Sequence, residues 1–488
     1  MTLTSSTGGR PSRGSEIVSR TMRRRSSAKS TASWADAVQP ARPTAAAAAA
    51  TPRMPGLDRC PRPTYSLRRL FPTPPPTEIR VIVSPATPAV SLWRRPGLLA
   101  YMGSWACSSA GFAIQQLLLV WLLAGVLALP ADRVGPLQAA IGLPGVIIML
   151  WGGANADRTD ARAILTRVFG AAALVPFGLV LALELGGLNV WTVTVWGFGI
   201  SAALSFSSPA QQAVLNRIAG RDLQRGVTAA TAISMFTYMI GLRVAGQLDS
   251  FGLRQVLLAQ SLCLAVAALW IRRIGSQPAN DGESGAPARR RIAEGFRASY
   301  RQRAVFDAMT VNFVSSIFNA GAFFTVLPFI VLRVYDGDAE LLSWVMILFF
   351  AGAVVSNLIM LRFMPFRQPG RWFVVLQLSR ILVLFLIWIE PAWWLVVTAL
   401  IAWGLNMGVT TTLARAIVQE AAEPQTRGRV MSVFGLGLLG APLIGAIILG
   451  WIVEEYGALA GLVPGMAASV LLFVYSMAAT GLWRYRST

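Results

Sequence analysis

The chain has 488 residues, 55% of them hydrophobic and 13% charged, with a mean hydropathy of +0.56, a balance that excludes a soluble domain of ordinary composition. Its formal charge is +21, and it contains no histidine. Loss of that residue removes the commonest metal ligand, general base and pH switch, and with no nucleophile and base pair on any apolar span, neither an enzyme nor a metal or other cofactor is expected.

Residues 1–92 hold 14 of the 43 Lys and Arg against 4 Asp or Glu. They are rich in Ser, Ala, Pro and Arg, include the alanine run Ala45–Ala50, and show no apolar periodicity that could bury a core. A disordered extension is expected, either an organelle transit segment or, preferably, sequence upstream of the true start. The remaining positive charge is scattered between apolar runs, so no basic face for nucleic acid is implied. Cys60, Cys107 and Cys263 lie far apart, without the spacing of a zinc site or disulfide framework.

From Leu98 onward, apolar stretches of about 20 residues recur, the length that crosses a ~30 Å hydrocarbon core as helix. Twelve are expected, at 98–125, 134–154, 162–184, 188–212, 227–249, 252–273, 304–332, 341–364, 372–389, 392–414, 429–452 and 458–482. In hydrocarbon each backbone group must be satisfied within its own segment, and runs this long and uniform suit helices rather than barrel strands. The fold class is therefore an all-α polytopic membrane protein.

Arginine placement orients the bundle. With the N-terminus inside, 24 of the arginines after residue 92 fall in cytoplasmic segments and three (Arg133, Arg254 and Arg333) on the opposite side, while Arg243 and Arg380 lie within spans. This asymmetry follows the positive-inside rule and puts both termini in the cytoplasm, as expected for a multi-pass protein of the cytoplasmic (inner) membrane.

A polar segment at 274–303 divides the spans into an N-terminal half, 93–273, and a C-terminal half, 304–488. It ends in a basic amphipathic stretch from Arg289 to Arg303. Arg225-Gly226 opens the fifth span and Arg427-Gly428 the eleventh, while Arg158/Arg162 after the second span has an equally spaced counterpart, Arg367/Arg371, after the eighth. Two pseudo-symmetric six-helix halves point to a duplicated transporter.

After the second span the chain reads Gly152-Gly153-Ala154-Asn155-Ala156-Asp157-Arg158-Thr159-Asp160-Ala161-Arg162. This resembles the G-x-L-A-D-R-x-G-R-R signature of the major facilitator superfamily, departing from it at Asp160 and Ala161. The resemblance implies a cytoplasmic gate built on Gly153, Asp157, Arg158 and Arg162, with Asp157 against the positive end of the eleventh helix. The stretches 208–213 and 419–432 are similar to those of the branch that includes the enterobactin exporter, which implies efflux of a drug, siderophore or other metabolite by proton antiport. In that setting the fifth span departs again, with Leu242 where the antiporters usually carry a proline, whereas the eleventh keeps Gly440-Ala441-Pro442.

Polar residues that interrupt apolar spans are the candidate cavity lining, because polar groups at such depth normally face the bundle interior or water. They are Gln115, Gln116, Arg243, Asn312, Gln377, Arg380 and Asn406, with Asn319 beside them. Interhelical bonding is the alternative for the amides, and a structural clasp for Arg243. No acidic residue sits at mid-span, which leaves Asp307, Asp249 and Glu184, near span ends, as candidates for proton coupling. The expected function is alternating-access secondary transport of a small molecule, most simply an anionic one, in exchange for protons by a monomer within the lipid bilayer. Uptake of a small metabolite, and a non-transporting sensor with the same fold, are the rival readings.

Overall fold

Twelve long helices account for most of the computed structural model, which describes residues 97–152, 160–276, 288–363, 366–390 and 392–486. All of these lie in one packed unit. The first half consists of α1 (Leu98–Val126), α2 (Ala131–Gly152), α3 (Ala161–Glu184), α4 (Val190–Ala219), α5 (Leu223–Gly246) and α6 (Leu253–Arg272). The second consists of α7 (Arg303–Arg333), α8 (Ala339–Phe363), α9 (Pro369–Trp388), α10 (Trp393–Ala421), α11 (Arg427–Tyr456) and α12 (Leu459–Ala478). Among the described residues, eleven helices are long and apolar enough to cross a membrane. The other, α2, has 22 residues but opens with Asp132 and Arg133 and contains two prolines.

The expected spans are recovered with small shifts, of which two matter. The expected fifth span ran to 249, but α5 stops at Gly246 and a single helical turn, Leu248–Phe251, follows it. The expected central loop contains a connecting helix, Ala288–Arg301, where the basic amphipathic stretch was read.

Burial decides which helices are central. The apolar windows of α1 and α7 are 67% and 72% buried, whereas the other qualifying helices range from 17% to 44%. Both central helices also switch to wider π-helical turns, at Trp121–Val126 in α1 and Ala322–Val326 in α7. Such turns leave the regular hydrogen-bond ladder and are frequent at functional sites. Their matching positions extend to geometry the duplication read from Arg-Gly spacings.

Small residues set the closest helix crossings, as expected where hydrophobic association gives no advantage over lipid and packing must. A Cβ on Gly404 of α10 would lie 1.9 Å from the Phe349 carbonyl oxygen of α8, and one on Gly445 of α11 would lie 2.0 Å from that of Ile317 in α7. Gly241 in α5 meets the Ala110 carbonyl of α1 in the same way. The bundle exterior is apolar, with Trp191, Trp372 and Trp394 exposed near helix ends, as amphipathic rings are at a membrane interface.

Candidate functional site

The two halves touch closely at the end of the bundle that carries Arg133, Arg254 and Arg333. Glu454, near the end of α11, accepts from the Ala131 amide at the start of α2 at 2.9 Å and from Arg333 at 3.0 Å. The first turn of a helix leaves amide protons without intrahelical acceptors, so a carboxylate there meets both hydrogen-bond donors and the positive end of the dipole. Small residues let the backbones close behind it: a Cβ on Gly135 would lie 2.1 Å from the Ala446 carbonyl oxygen, and one on Gly450 would lie 2.5 Å from that of Ala131.

Across the other seam, Arg243 of α5 pairs with Glu340 of α8 at 2.6 Å and lies over the Trp344 ring at 5.2 Å. Gly246 packs on Ser343, and Tyr238 meets Phe350 edge-on at 5.1 Å. Between the two seams Thr325, within the π turn of α7, donates to Gln138 of α2 at 2.8 Å. Phe323, Phe349 and Trp403 form a buried aromatic cluster next to that turn, with Phe323 and Phe349 stacked at 3.7 Å.

Toward the arginine-rich end a cavity opens beside α2 and α11. Gly142 still faces Leu443 closely, but one turn further on Val146 and Gly440 border a cavity of about 700 Å³, called the wedge below. Phe296 and Arg297 of the connecting helix, Asn312 and Phe313 of α7, and Phe434 and Gly437 of α11 complete much of its wall. The connecting helix is held on α11 by the Glu294–Arg429 ion pair at 3.0 Å and by Gly295, where a Cβ would lie 2.7 Å from the Arg429 carbonyl oxygen.

Arg380 occupies a different environment. It is 7% exposed and bonds only neutral oxygens: Asn406 Oδ1 and Thr410 Oγ1, each at 2.6 Å, Gln377 Oε1 at 3.1 Å, and Ser315 Oγ. Asn406 in turn donates to Ser379 and to the Leu376 carbonyl. The network joins α7, α9 and α10, which assigns Gln377, Arg380 and Asn406 contacts with one another within the second half. Two buried atoms at its margin, Gln377 Nε2 and Asn319 Oδ1, have no partner among the described residues.

The other sequence candidates are dispersed. Gln115 ties α1 to α4 through the Gly197 carbonyl at 2.9 Å and Ser201 at 3.2 Å, whereas half-buried Gln116 next to it makes no side-chain bond among the described residues. Asn312, 8% exposed, likewise has no side-chain partner among the described residues and lines the wedge. Asp307 is 3% exposed, accepts from the Gly481 amide at 3.2 Å and lies 4.0 Å from Arg303. Glu184 is exposed and paired with Arg254, and Asp249 is exposed in the turn after α5. Gly153, Asp157 and Arg158 lie outside the described residues. Arg162, at the start of α3, bonds the Arg272 carbonyl at the end of α6 at 2.6 Å, so its visible partner is a helix C-terminus within the first half.

The sequence reading missed Glu340, Glu454 and Arg297, because each stood near a helix end among other charges. Only the duplication could have drawn attention to Glu454: it sits at the far end of the helix whose start is the expected partner of Asp157.

Positions 100–484 match the family model described as transmembrane secretion effector. By structure the chain is similar to the nucleoside transporter NupG, with a TM-score of 0.65 and 15% identity over 80% of this chain and 99% of that one. It is similar to a proton-dependent oligopeptide transporter at 0.62 and 12%, over 80% and 98% of the two chains, and to the human organic anion transporter TETRAN at 0.58 and 12%, over 79% and 100%. No curated protein matches the chain by sequence.

Proposed function

Since the chain belongs to the transmembrane secretion effector family and has the major facilitator transporter fold, we propose that it exports a small amphipathic drug, siderophore or other metabolite across the cytoplasmic membrane, by alternating access coupled to proton antiport. One observation supports this reading: the halves meet at one end through Glu454–Ala131 and Arg243–Glu340, and a cavity bordered by α2, α7 and α11 lies toward the other. This is the arrangement expected of a transporter with the first end closed and the second open. With the arginine-rich end in the cytoplasm, the open gate faces the compartment from which an exporter loads.

Export then requires the seals to break and the wedge to close as the halves rock. The gate sequence Gly153, Asp157, Arg158 and Arg162 is placed to latch the cytoplasmic end in that second state, with Asp157 against the start of α11 as Glu454 lies against the start of α2 at the other end. Of the acidic candidates, Asp307 is the buried one and is assigned the coupling role. Gln116 and Asn312, polar and without partners, are assigned to cargo.

The test is transport in everted membrane vesicles with an imposed proton gradient, using dansylated undecanoate and ethidium as fluorescent cargo. Gradient-dependent accumulation that collapses with a protonophore and in Asp307→Asn is expected. Accumulation in right-side-out vesicles instead would establish uptake, and no movement in either orientation would favour a sensor.

A further inference from the structure

We infer that the wedge between α2, α7, α11 and the connecting helix is a binding chamber for an amphipathic anion, with Arg297 as the contact for its charged group. The inference rests on the reading of the wedge as the loading side of the transporter and adds the chemistry of the cargo.

The sequence offered Arg243 and Arg380 as cations for such a ligand, but Arg243 has its carboxylate in Glu340, and Arg380 is enclosed by four side-chain acceptors. Arg297 differs from both. It is exposed, borders the cavity, and has no ion-pair or hydrogen-bond partner among the described residues. The carboxylate on its own helix, Glu294, is already shared between Arg429 and Arg290. Among the described residues no acidic side chain lines the cavity, so an anion entering there meets the Arg297 guanidinium and, among those residues, no like charge.

The remainder of the wall is suited to an apolar body. Phe296, Phe313 and Phe434 present rings from three elements, and Gly440 leaves open space where a Cβ would meet nothing within 4 Å. Asn312 is buried to 8% exposure without a side-chain partner. Its amide borders the cavity, where a polar group on the cargo can bond it. The chamber thus combines an apolar wall, one inner amide and one cation on the connecting helix, which matches a ligand with an apolar body and a terminal carboxylate or similar anion.

Binding is measured on the full chain in phosphatidylcholine nanodiscs without a gradient, by fluorescence titration with 11-(dansylamino)undecanoate, its methyl ester and a trimethylammonium analogue. The wild type should bind the carboxylate at least tenfold more tightly than the cation. Arg297→Gln should weaken the carboxylate about tenfold and leave the ester within twofold. Arg301→Gln, on the same helix but outside the cavity wall, should change neither. Gly440→Leu, which fills the chamber, should weaken both carboxylate and ester. Equal effects of Arg297→Gln and Arg301→Gln, equal affinity for the cation, or no binding of the carboxylate would overturn the inference. Because no gradient is used, these outcomes are independent of whether the vesicle assay finds export.

Discussion

Glu454 and Ala131 belong to different halves of the chain, yet the Glu454 carboxylate lies 2.9 Å from the Ala131 amide nitrogen and 3.0 Å from Arg333 Nη2. One side chain thus caps α2 from α11 and holds the arginine that ends α7, so opening this end between the halves must break the bond to Ala131, while the Arg333 pair, internal to the second half, can persist.

Glu454→Gln should therefore favour the state with this end open. The side chain is about one-third exposed, so the lost attraction to the start of α2 is about 1 kcal/mol, a several-fold shift in a two-state gate. Spin labels on α2 and α11 near Arg133 and Glu455 would show a larger long-distance population. Asp157→Asn should push the equilibrium the other way by weakening the latch at the arginine-rich end. Unchanged distance distributions in both variants would remove the paired-latch reading.

The Arg243–Glu340 pair is about as exposed as Glu454, so its stabilisation should be modest despite the 2.6 Å separation. A double-mutant cycle with Arg243→Gln and Glu340→Gln should give a coupling of roughly 0.5–1 kcal/mol, read from thermal unfolding in detergent. Exchange of the two charges should recover most of it. A coupling above about 3 kcal/mol would mean that the pair is desolvated in the membrane.

Arg380→Met should behave differently, because it strands several acceptors in a buried site. Removal of one partner from such a network costs about 2–4 kcal/mol, and a fall of several degrees in the unfolding temperature is expected. Arg380→Lys should recover only part, since three donors on a compact ammonium cannot reproduce the planar fork that reaches Ser315, Gln377, Asn406 and Thr410. Full stability of Arg380→Met would show that the network is dispensable.

Orientation is open to direct labelling. In a background with Cys60, Cys107 and Cys263 replaced by serine, a cysteine at Asp336 should react with an impermeant maleimide from outside intact cells, and one at exposed Gln425 should react only after permeabilisation. The reverse pattern would invert the bundle and, with it, the assignment of the wedge to the cytoplasm.

Span length, apolar uniformity and arginine asymmetry were enough to find twelve helices in two halves, because a bilayer forces each segment to satisfy its own backbone and so makes the fold legible one span at a time. The major facilitator assignment followed from the same local signals. The amphipathic pattern from Arg289 to Arg303 also marked the connecting helix, although not that it would rest on α11 through Glu294 and Gly295.

Charge neutralisation was decided by the tertiary structure alone. Arg243 and Arg380 looked alike as arginines within apolar runs, but pairing depends on which helix faces which, and the residues that answer them lie up to 97 positions away. Arg297 looked like one of many arginines in a polar segment and became distinctive only when folding placed it on a cavity wall with residues of α2, α7 and α11. Periodicity reports how a helix meets lipid. It carries no information on the angle between helices, and that angle determines which polar groups are enclosed, which are paired and which are left facing a cavity.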